Sequence, residues 1–206
     1  MIRFCATRYT KTLCSRPFKL TALSRLCLIG LLFSSVALAN PNDERVSRVK
    51  AAFILNIAKF VSWPAETLSV PTDAFTLCYY REDSLGAGIE MILNKSVLGL
   101  PMRDRLIENL PESDGCRVLM IPADQLTQFM TEIESVSERK SVLTIADLTM
   151  EEGKGVAYSG VIMNLVRRGS SIGFEIDTNE LKARHLSMSS ELLKLAHIID
   201  APGRGK

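Results

Sequence analysis

The 206-residue sequence predicts an α/β fold: a mixed, mostly parallel sheet with helices on both faces, in a Rossmann-like three-layer arrangement with one disulfide. Short apolar runs alternate with amphipathic helical patterns, which is typical of a parallel sheet covered on both faces. Two strand-like runs near the end are joined by a short polar turn, which adds an antiparallel hairpin. An export signal at the start places the remaining cysteines in an oxidising compartment, which favours a disulfide.

Residues 1–39 have the features of a cleavable secretory signal peptide. They carry six basic residues and no acidic residue, then an apolar run from Leu26 to Leu38 and an A-x-A pattern that ends at Ala39. These features together define an export signal. The apolar run has 13 residues, whereas a membrane-spanning helix needs about 20. We therefore expect export and cleavage after Ala39, with an uncleaved anchor as the alternative.

Removal of the leader changes what the composition implies. The formal net charge falls from +2 to −4, so electrostatics give no argument for nucleic-acid binding. The remaining 167 residues, 40–206, suffice for a single domain with its own core. Cys78 and Cys116 form an even pair that favours a disulfide, with two buried free thiols as the alternative. Two distant sulfurs with only His185 and His197 make a poor tetrahedral site, so we expect no metal.

The first element is predicted to be a helix from about residue 44 to 62. Apolar residues recur there at three- and four-residue steps, which places them on one helical face. Pro64 is expected to end the helix, because the residue before a proline avoids the helical conformation. The apolar stripe consists of Val46, Val49, Phe53, Ile57, Phe60 and Val61.

Strand and helix patterns then alternate through the middle of the chain. The best-defined helix, 123–136, carries an apolar face formed by Leu126, Phe129, Met130 and Ile133. The other predicted elements are a strand at 75–80, a helix at 85–93, an extended run within 97–107, and buried strands at 117–121 and 141–146.

The last third of the chain is predicted to contain the hairpin and two short helices. The hairpin strands are 161–166 and 171–176, with a polar turn between them. A short helix is expected to begin at Leu181. Ser189 is placed to cap a last helix that reaches Ile199, because a serine side chain accepts a hydrogen bond from the first turn. Residues 200–206 are expected to form a loose tail.

Three residues near strand ends are candidates for a small-ligand site. Asp83 and Gly86 follow the first strand and Asp147 follows a later one, and open α/β sheets bind ligands at the carboxyl ends of their strands. A dinucleotide site is disfavoured because Met91 stands where the third glycine of the fingerprint would be. The alternatives are close helix–strand packing at the glycines and capping of loops by the acids. No pattern indicates a catalytic nucleophile, so the residues point to no enzyme.

The only tryptophan of the chain, Trp63, stands where the first helix is expected to end, between Phe60 and Pro64. Large aromatic side chains at the end of an element can form an interaction hot spot. These three residues are therefore a candidate partner-binding region. In the alternative interpretation, Trp63 fixes the helix onto the sheet.

Four blocks of the sequence resemble the YfiR family of periplasmic regulators. Residues 49–64 read VKAAFILNIAKFVSWP, which is similar to the family's K-A-A-F-L-Y-N-F-A-K-F-V-x-W-P. The others are VLTIAD at 142–147, IGFEID at 172–177 and LSMSSELLKLA at 186–196. The resemblance covers about residues 46–199.

The resemblance implies a periplasmic α/β protein, often dimeric, that is not an enzyme and needs no cofactor. It implies inhibition of an inner-membrane diguanylate cyclase through the cyclase's periplasmic sensory domain, and hence an effect on cyclic-di-GMP signalling and biofilm formation. It also implies an OmpA-like outer-membrane lipoprotein that titrates the repressor away. The family's long-range disulfide matches Cys78 and Cys116, whereas the second bridge of some relatives is absent because no cysteine follows Cys116. The alternative function is a periplasmic small-ligand sensor with a pocket near Asp83, Gly86 and Asp147.

Overall fold

An eight-stranded sheet forms the central layer of the fold. The computed structural model describes residues 41–65, 73–136, 140–151 and 156–199, all within one unit, 39–206. The predicted leader, its cleavage after Ala39 and the tail at 200–206 lie outside the described residues. In chain order the strands are β1 (Val61–Ser62), β2 (Phe75–Tyr80), β3 (Ser96–Val97), β4 (Leu100–Ile107), β5 (Cys116–Pro122), β6 (Leu143–Leu148), β7 (Met163–Arg168), β8 (Ser171–Ile176), β9 (Ser187–Met188) and β10 (His197–Ile198).

Four α-helices and three 3₁₀ turns connect the strands. The helices are α1 (Pro41–Lys59), α2 (Leu126–Glu134), α3 (Thr178–Ala183) and α4 (Ser190–Leu195), and the 3₁₀ turns are Gly86–Met91, Leu110–Ser113 and Ala123–Gln125. These counts refer to the described ranges. The predicted helix at 123–136 is therefore a 3₁₀ turn followed by the shorter α2.

The strand order is β3-β4-β2-β5-β6-β7-β8-β10. Strands β4, β2, β5, β6 and β7 are parallel to one another, and β8 is antiparallel to β7. The short edge strand β10 is parallel to β8, and β3 is antiparallel to β4. Strands β1 and β9 form a separate antiparallel ribbon. The prediction of a mixed, mostly parallel sheet with a late hairpin is confirmed.

The sheet separates two apolar cores, as the alternation of side chains along β2 shows. Leu77 and Tyr79 belong to the core under α1, α3 and α4. Cys78 and Tyr80 belong to the core under α2, where Phe129 is fully buried. Successive residues of a strand face opposite sides, so a strand buried on both sides reads as a continuous apolar run. The expected three-layer arrangement follows.

The predicted disulfide between Cys78 and Cys116 is confirmed. Its Cα atoms are 5.8 Å apart, and it joins neighbouring strands β2 and β5. The Nη2 atom of Arg105, on the next strand, lies 3.3 Å from the Cys116 sulfur and donates a 3.0 Å hydrogen bond to the Glu112 carbonyl oxygen. The bridge is therefore buried on one side and covered by a guanidinium on the other.

Two predicted helix ends were wrong for the same reason. Helix α1 ends at Lys59 rather than near residue 62, because Val61–Ser62 pair with Ser187–Met188. The last helix ends at Leu195 rather than Ile199, because His197–Ile198 pair with β8. In each case a strand ladder to a distant part of the chain replaces the helical hydrogen bonds. The predicted cap is confirmed, since Ser189 Oγ accepts a 3.2 Å bond from the Leu192 N–H.

Other boundaries shift by a few residues. The strand predicted at 141–146 is Leu143–Leu148, because its ladder with β5 continues to Asp147 and its ladder with β7 continues to Leu148. Helix α3 begins at Thr178 rather than Leu181, because Asp177 Oδ1 accepts hydrogen bonds from the N–H groups of Asn179 and Glu180 and caps the helix. The segment predicted as a helix at 85–93 is the 3₁₀ turn Gly86–Met91.

Candidate functional site

A cleft of about 520 Å³ opens at the carboxyl end of β2, between the first half of α1 and the Gly86–Met91 turn. Its position follows from the topology. The connection after β2 leads to β4 on one side and the connection after the neighbouring β5 leads to β6 on the other, so a crevice forms at the carboxyl ends of β2 and β5. Asp83 and Gly86, predicted from their place after the strand, both line the cleft.

Lys50 lies at the cleft and forms a buried ion pair with Asp147. Its Nζ atom is 2.6 Å from Asp147 Oδ2 and donates a 2.7 Å hydrogen bond to the Ser84 carbonyl oxygen. Each of the two paired residues is only 7% exposed. Asp147 Oδ1 accepts a 2.7 Å hydrogen bond from Thr149 Oγ1. Asp147 itself does not line the cleft, and its carboxylate is paired with Lys50, which does.

Asp83 and the neighbouring glycines shape the turn that forms one wall. Asp83 Oδ1 accepts hydrogen bonds from the N–H groups of Leu85 at 2.8 Å and Gly86 at 3.0 Å. Gly88 lies against α1: its N–H donates to Ser47 Oγ at 3.0 Å, and an added Cβ would lie 2.4 Å from the Ser47 carbonyl oxygen. Gly88 therefore permits close packing of the turn against α1, and Asp83 caps the loop, as the two alternative interpretations proposed.

Tyr79, near the carboxyl end of β2, is a buried tyrosine whose ionisation is suppressed. Burial, with smaller effects from Asp83 and Asp104, raises the pKa of Tyr79 far above its usual range. The Tyr79 hydroxyl has no hydrogen-bond partner among the described residues. This side chain therefore stays neutral and acts as part of the core.

The candidate partner-binding residues differ sharply in exposure. Trp63 is 6% exposed and packs edge-on against Phe75, with ring centroids 5.4 Å apart. Phe60 is 44% exposed, and its carbonyl oxygen accepts a 3.0 Å hydrogen bond from the Ser189 N–H. Pro64 is half-buried. Trp63 thus fixes the end of α1 onto the sheet, and Phe60 offers the accessible apolar surface of the three.

Lys50 was not among the site residues predicted from the sequence, although the sequence contains a signal for it. Lys50, Ile54 and Ile57 are spaced by four and three residues, so the lysine lies on the buried face of α1. A lysine within an apolar stripe indicates a buried partner, because an unpaired buried charge is costly. Asp147 is that partner, and it lies 97 positions farther along the chain.

Two properties bear on the kind of protein. In the described ranges, no group of three or more His, Cys, Asp or Glu side chains is arranged to hold a metal ion. Among the helices in the same part of the chain, none has both the length and the apolar character that crossing a membrane requires.

Comparison with known proteins identifies one family. The sequence pattern of the family described as YfiR/HmsC-like matches residues 47–197, well over half of the chain. A search of curated proteins found no match. The match covers α1 from Ser47 onward, the cleft residues from Ser47 to Met150, both cysteines and the strands up to the start of β10. The chain therefore belongs to the YfiR/HmsC-like family.

Proposed function

We propose that the protein is a non-enzymatic periplasmic regulator that binds the periplasmic sensory domain of an inner-membrane diguanylate cyclase and inhibits the cyclase. Family membership is the observation that carries this proposal. Such inhibition requires that the protein bind the inactive arrangement of the cyclase more tightly than the active one, since only a difference in affinity shifts an equilibrium. Lower cyclic-di-GMP and less biofilm would follow.

The contact surface is proposed around the end of α1. Phe60 presents an exposed aromatic ring there, and aromatic side chains are enriched among residues that dominate binding energy. Trp63 lies beneath, packed on Phe75, and Pro64 extends the same segment. The buried tryptophan would support the position of Phe60 rather than contact the partner itself.

Capture of cyclase domains tests this proposal. Periplasmic domains of the host's membrane diguanylate cyclases are incubated with the purified exported protein, and Phe60→Ala is compared with Leu106→Ala. Leu106 is the matched control, because it is a similarly exposed apolar residue (51%) on strand β4. We expect the parent and Leu106→Ala to retain a cyclase domain and Phe60→Ala to lose most of it. Failure of the parent protein to retain any cyclase domain would reject the function.

Two further partners are proposed from the same resemblance. An OmpA-like outer-membrane lipoprotein would compete with the cyclase for the regulator, and a second copy of the chain would form a homodimer. Addition of the lipoprotein should release captured cyclase domain, and light scattering should give twice the monomer mass. Undiminished capture would reject competition, and a monomer mass would reject the dimer.

A second candidate function is a periplasmic small-ligand sensor. The specific observation in its favour is the cleft of about 520 Å³ lined by Asp83 and Gly86, which is large enough for a small molecule. Because the first half of α1 forms one wall, a bound ligand would contact the helix whose far end immediately precedes Phe60. Sensing and cyclase regulation are therefore compatible in one protein.

A further inference from the structure

We propose that the cleft between α1 and the Gly86–Met91 turn binds an organic cation that has an apolar body and an oxygen acceptor. The inference rests on the small-ligand function proposed above and adds the chemical class of the ligand. Three properties of the cleft carry it: its apolar wall, its surplus of carboxylates and the buried ammonium of Lys50.

The apolar wall would receive the body of the ligand. Val46, Ala87 and Met150 line the cleft with accessible apolar surface, whereas Leu85, which also lines it, is fully buried. Met150 is 74% exposed, and among the large apolar residues of the described ranges only Leu195 is more exposed. A ligand that covers this flexible, polarisable side chain removes apolar surface from water, which favours binding.

The charges around the cleft favour a cation. Asp43, Glu44 and Asp83 line it, together with one basic residue, Lys50. Lys50 is neutralised by Asp147 and Glu44 is paired with Arg48, whereas Asp43 and Asp83 form no ion pair with any basic residue of the described ranges. Asp83 uses Oδ1 for two backbone N–H groups, and its second oxygen has no partner within the described ranges. An acid-lined cleft raises the local concentration of cations.

Lys50 supplies the third feature, a buried donor. An ammonium group has three N–H donors, and Lys50 uses two of them, toward Asp147 Oδ2 and the Ser84 carbonyl oxygen. No third acceptor is found in the described part of the chain. A side chain that is 7% exposed and still lines the cleft can therefore offer its remaining donor to a hydroxyl or carbonyl oxygen of the ligand. A ligand that combines cation, apolar body and acceptor satisfies all three features.

A probe titration tests the ligand class directly. The exported protein, recovered from cells that express the full chain, carries ¹³C-methyl methionine, so that the Met150 methyl resonance reports occupancy of the cleft. The probe is 6-aminohexan-1-ol, and the charge-reversed comparison is 6-hydroxyhexanoate, which keeps the chain and the hydroxyl group. We expect the aminoalcohol to shift Met150 with a saturable curve, while the buried Met102 and Met163 do not move.

Matched variants separate the cleft from general electrostatics. Asp43→Asn with Asp83→Asn should weaken aminoalcohol binding about tenfold, since each lost charge contact costs about threefold to fivefold. Asp104→Asn with Glu191→Gln removes the same charge from exposed positions outside the cleft and should leave the affinity unchanged. Equal or tighter binding of 6-hydroxyhexanoate would overturn the ligand class but keep the cleft as a ligand site. Absence of a Met150 shift with either probe would overturn both.

Discussion

At the scale of single residues, the buried pair of Lys50 and Asp147 fixes the first helix to the sheet. The pair joins α1 to β6 across 97 residues of sequence, and Lys50 also bonds the Ser84 carbonyl oxygen in the turn after β2. A buried ion pair is a modest source of net stability, but removal of one partner leaves an uncompensated charge in the core. The pair therefore holds three segments in register at the cleft.

Substitution of one partner should be costly. Lys50→Met leaves Asp147 buried and unpaired, so we expect the free energy of unfolding to fall by about 3–5 kcal/mol. Asp147→Asn added to Lys50→Met removes the orphaned charge and keeps the acceptor for Thr149, so much of the loss should be recovered. Urea unfolding of the single and double variants measures both. A loss below about 1 kcal/mol for Lys50→Met would mean that the pair behaves as a surface salt bridge.

The contact between Gly88 and Ser47 gives a second residue-scale prediction. A Cβ at position 88 would lie 2.4 Å from the Ser47 carbonyl oxygen, which is helix backbone and cannot move alone. Gly88→Ala should therefore lower the free energy of unfolding by about 1–3 kcal/mol, as overpacking does. Gly173→Ala is the control, because its nearest contact, at 2.8 Å, is the flexible side chain of Arg168. Equal losses in the two variants would contradict the close helix–turn contact.

The candidate site was predictable in part. Asp83 and Gly86 line the cleft because position after a strand in a parallel sheet is enough to place a residue at the carboxyl edge. The sequence did not show that Asp147, unlike Asp83 and Gly86, is buried, because its burial depends on Lys50, which lies on a helix that is distant in sequence. The burial of Trp63 likewise depends on its contact with Phe75. A local sequence pattern does not show that these two residues meet.

At the scale of elements, helix α2 is attached to the sheet through Tyr80. Its ring packs edge-on against Phe129 with centroids 5.7 Å apart, and its hydroxyl donates a 2.6 Å hydrogen bond to Glu132 Oε2. Burial, followed by the interaction with Glu132, raises the pKa of Tyr80 from 10.0 to about 12. The folded state therefore favours the protonated phenol more than the unfolded chain does.

This shift predicts a loss of stability in alkali. A group whose pKa is higher in the folded state contributes its full stabilisation below the unfolded pKa of 10.0 and loses it as the pH rises toward about 12. The free energy of unfolding should thus fall between about pH 9 and about pH 12, and Tyr80→Phe should make that fall shallower. The pKa of Tyr79 is raised in the same direction, so Tyr79 contributes to the fall in both proteins. Parallel pH profiles in urea unfolding would contradict the assignment.

Element types were predictable where the signal is local, and element ends were not. Strand β2 has the predicted limits, Phe75–Tyr80, because six apolar or β-favouring residues lie between polar turns. The ends of α1 and α4 depend on the ladders Val61↔Met188 and His197↔Glu175, whose partners are remote in sequence. Helical periodicity continues through both ends, so only tertiary pairing decides where the helix stops.

At the scale of the whole molecule, the disulfide connects the sheet at its centre. Cys78 on β2 and Cys116 on β5 are both buried, and their bridge closes a loop that contains the cleft's Gly86–Met91 turn, the edge strand β3 and its neighbour β4. For a separation of 38 residues, the chain-entropy model gives a stabilisation of about 4 kcal/mol. Loss of the bridge should therefore loosen the half of the sheet on which the cleft and α1 depend.

Reduction consequently predicts a functional as well as a structural loss. Cys78→Ala with Cys116→Ala should lower the free energy of unfolding by about 2–4 kcal/mol, and it should weaken capture of the cyclase domain, because the base beneath α1 becomes mobile. Urea unfolding and capture are measured on the parent in oxidised and reduced form and on the double variant, which controls for reductant acting on the cyclase domain. Capture by oxidised protein alone would support a repressor that depends on its disulfide. Equal capture in every form, despite lower stability, would keep the regulator and show that the bridge serves the fold and not the interaction.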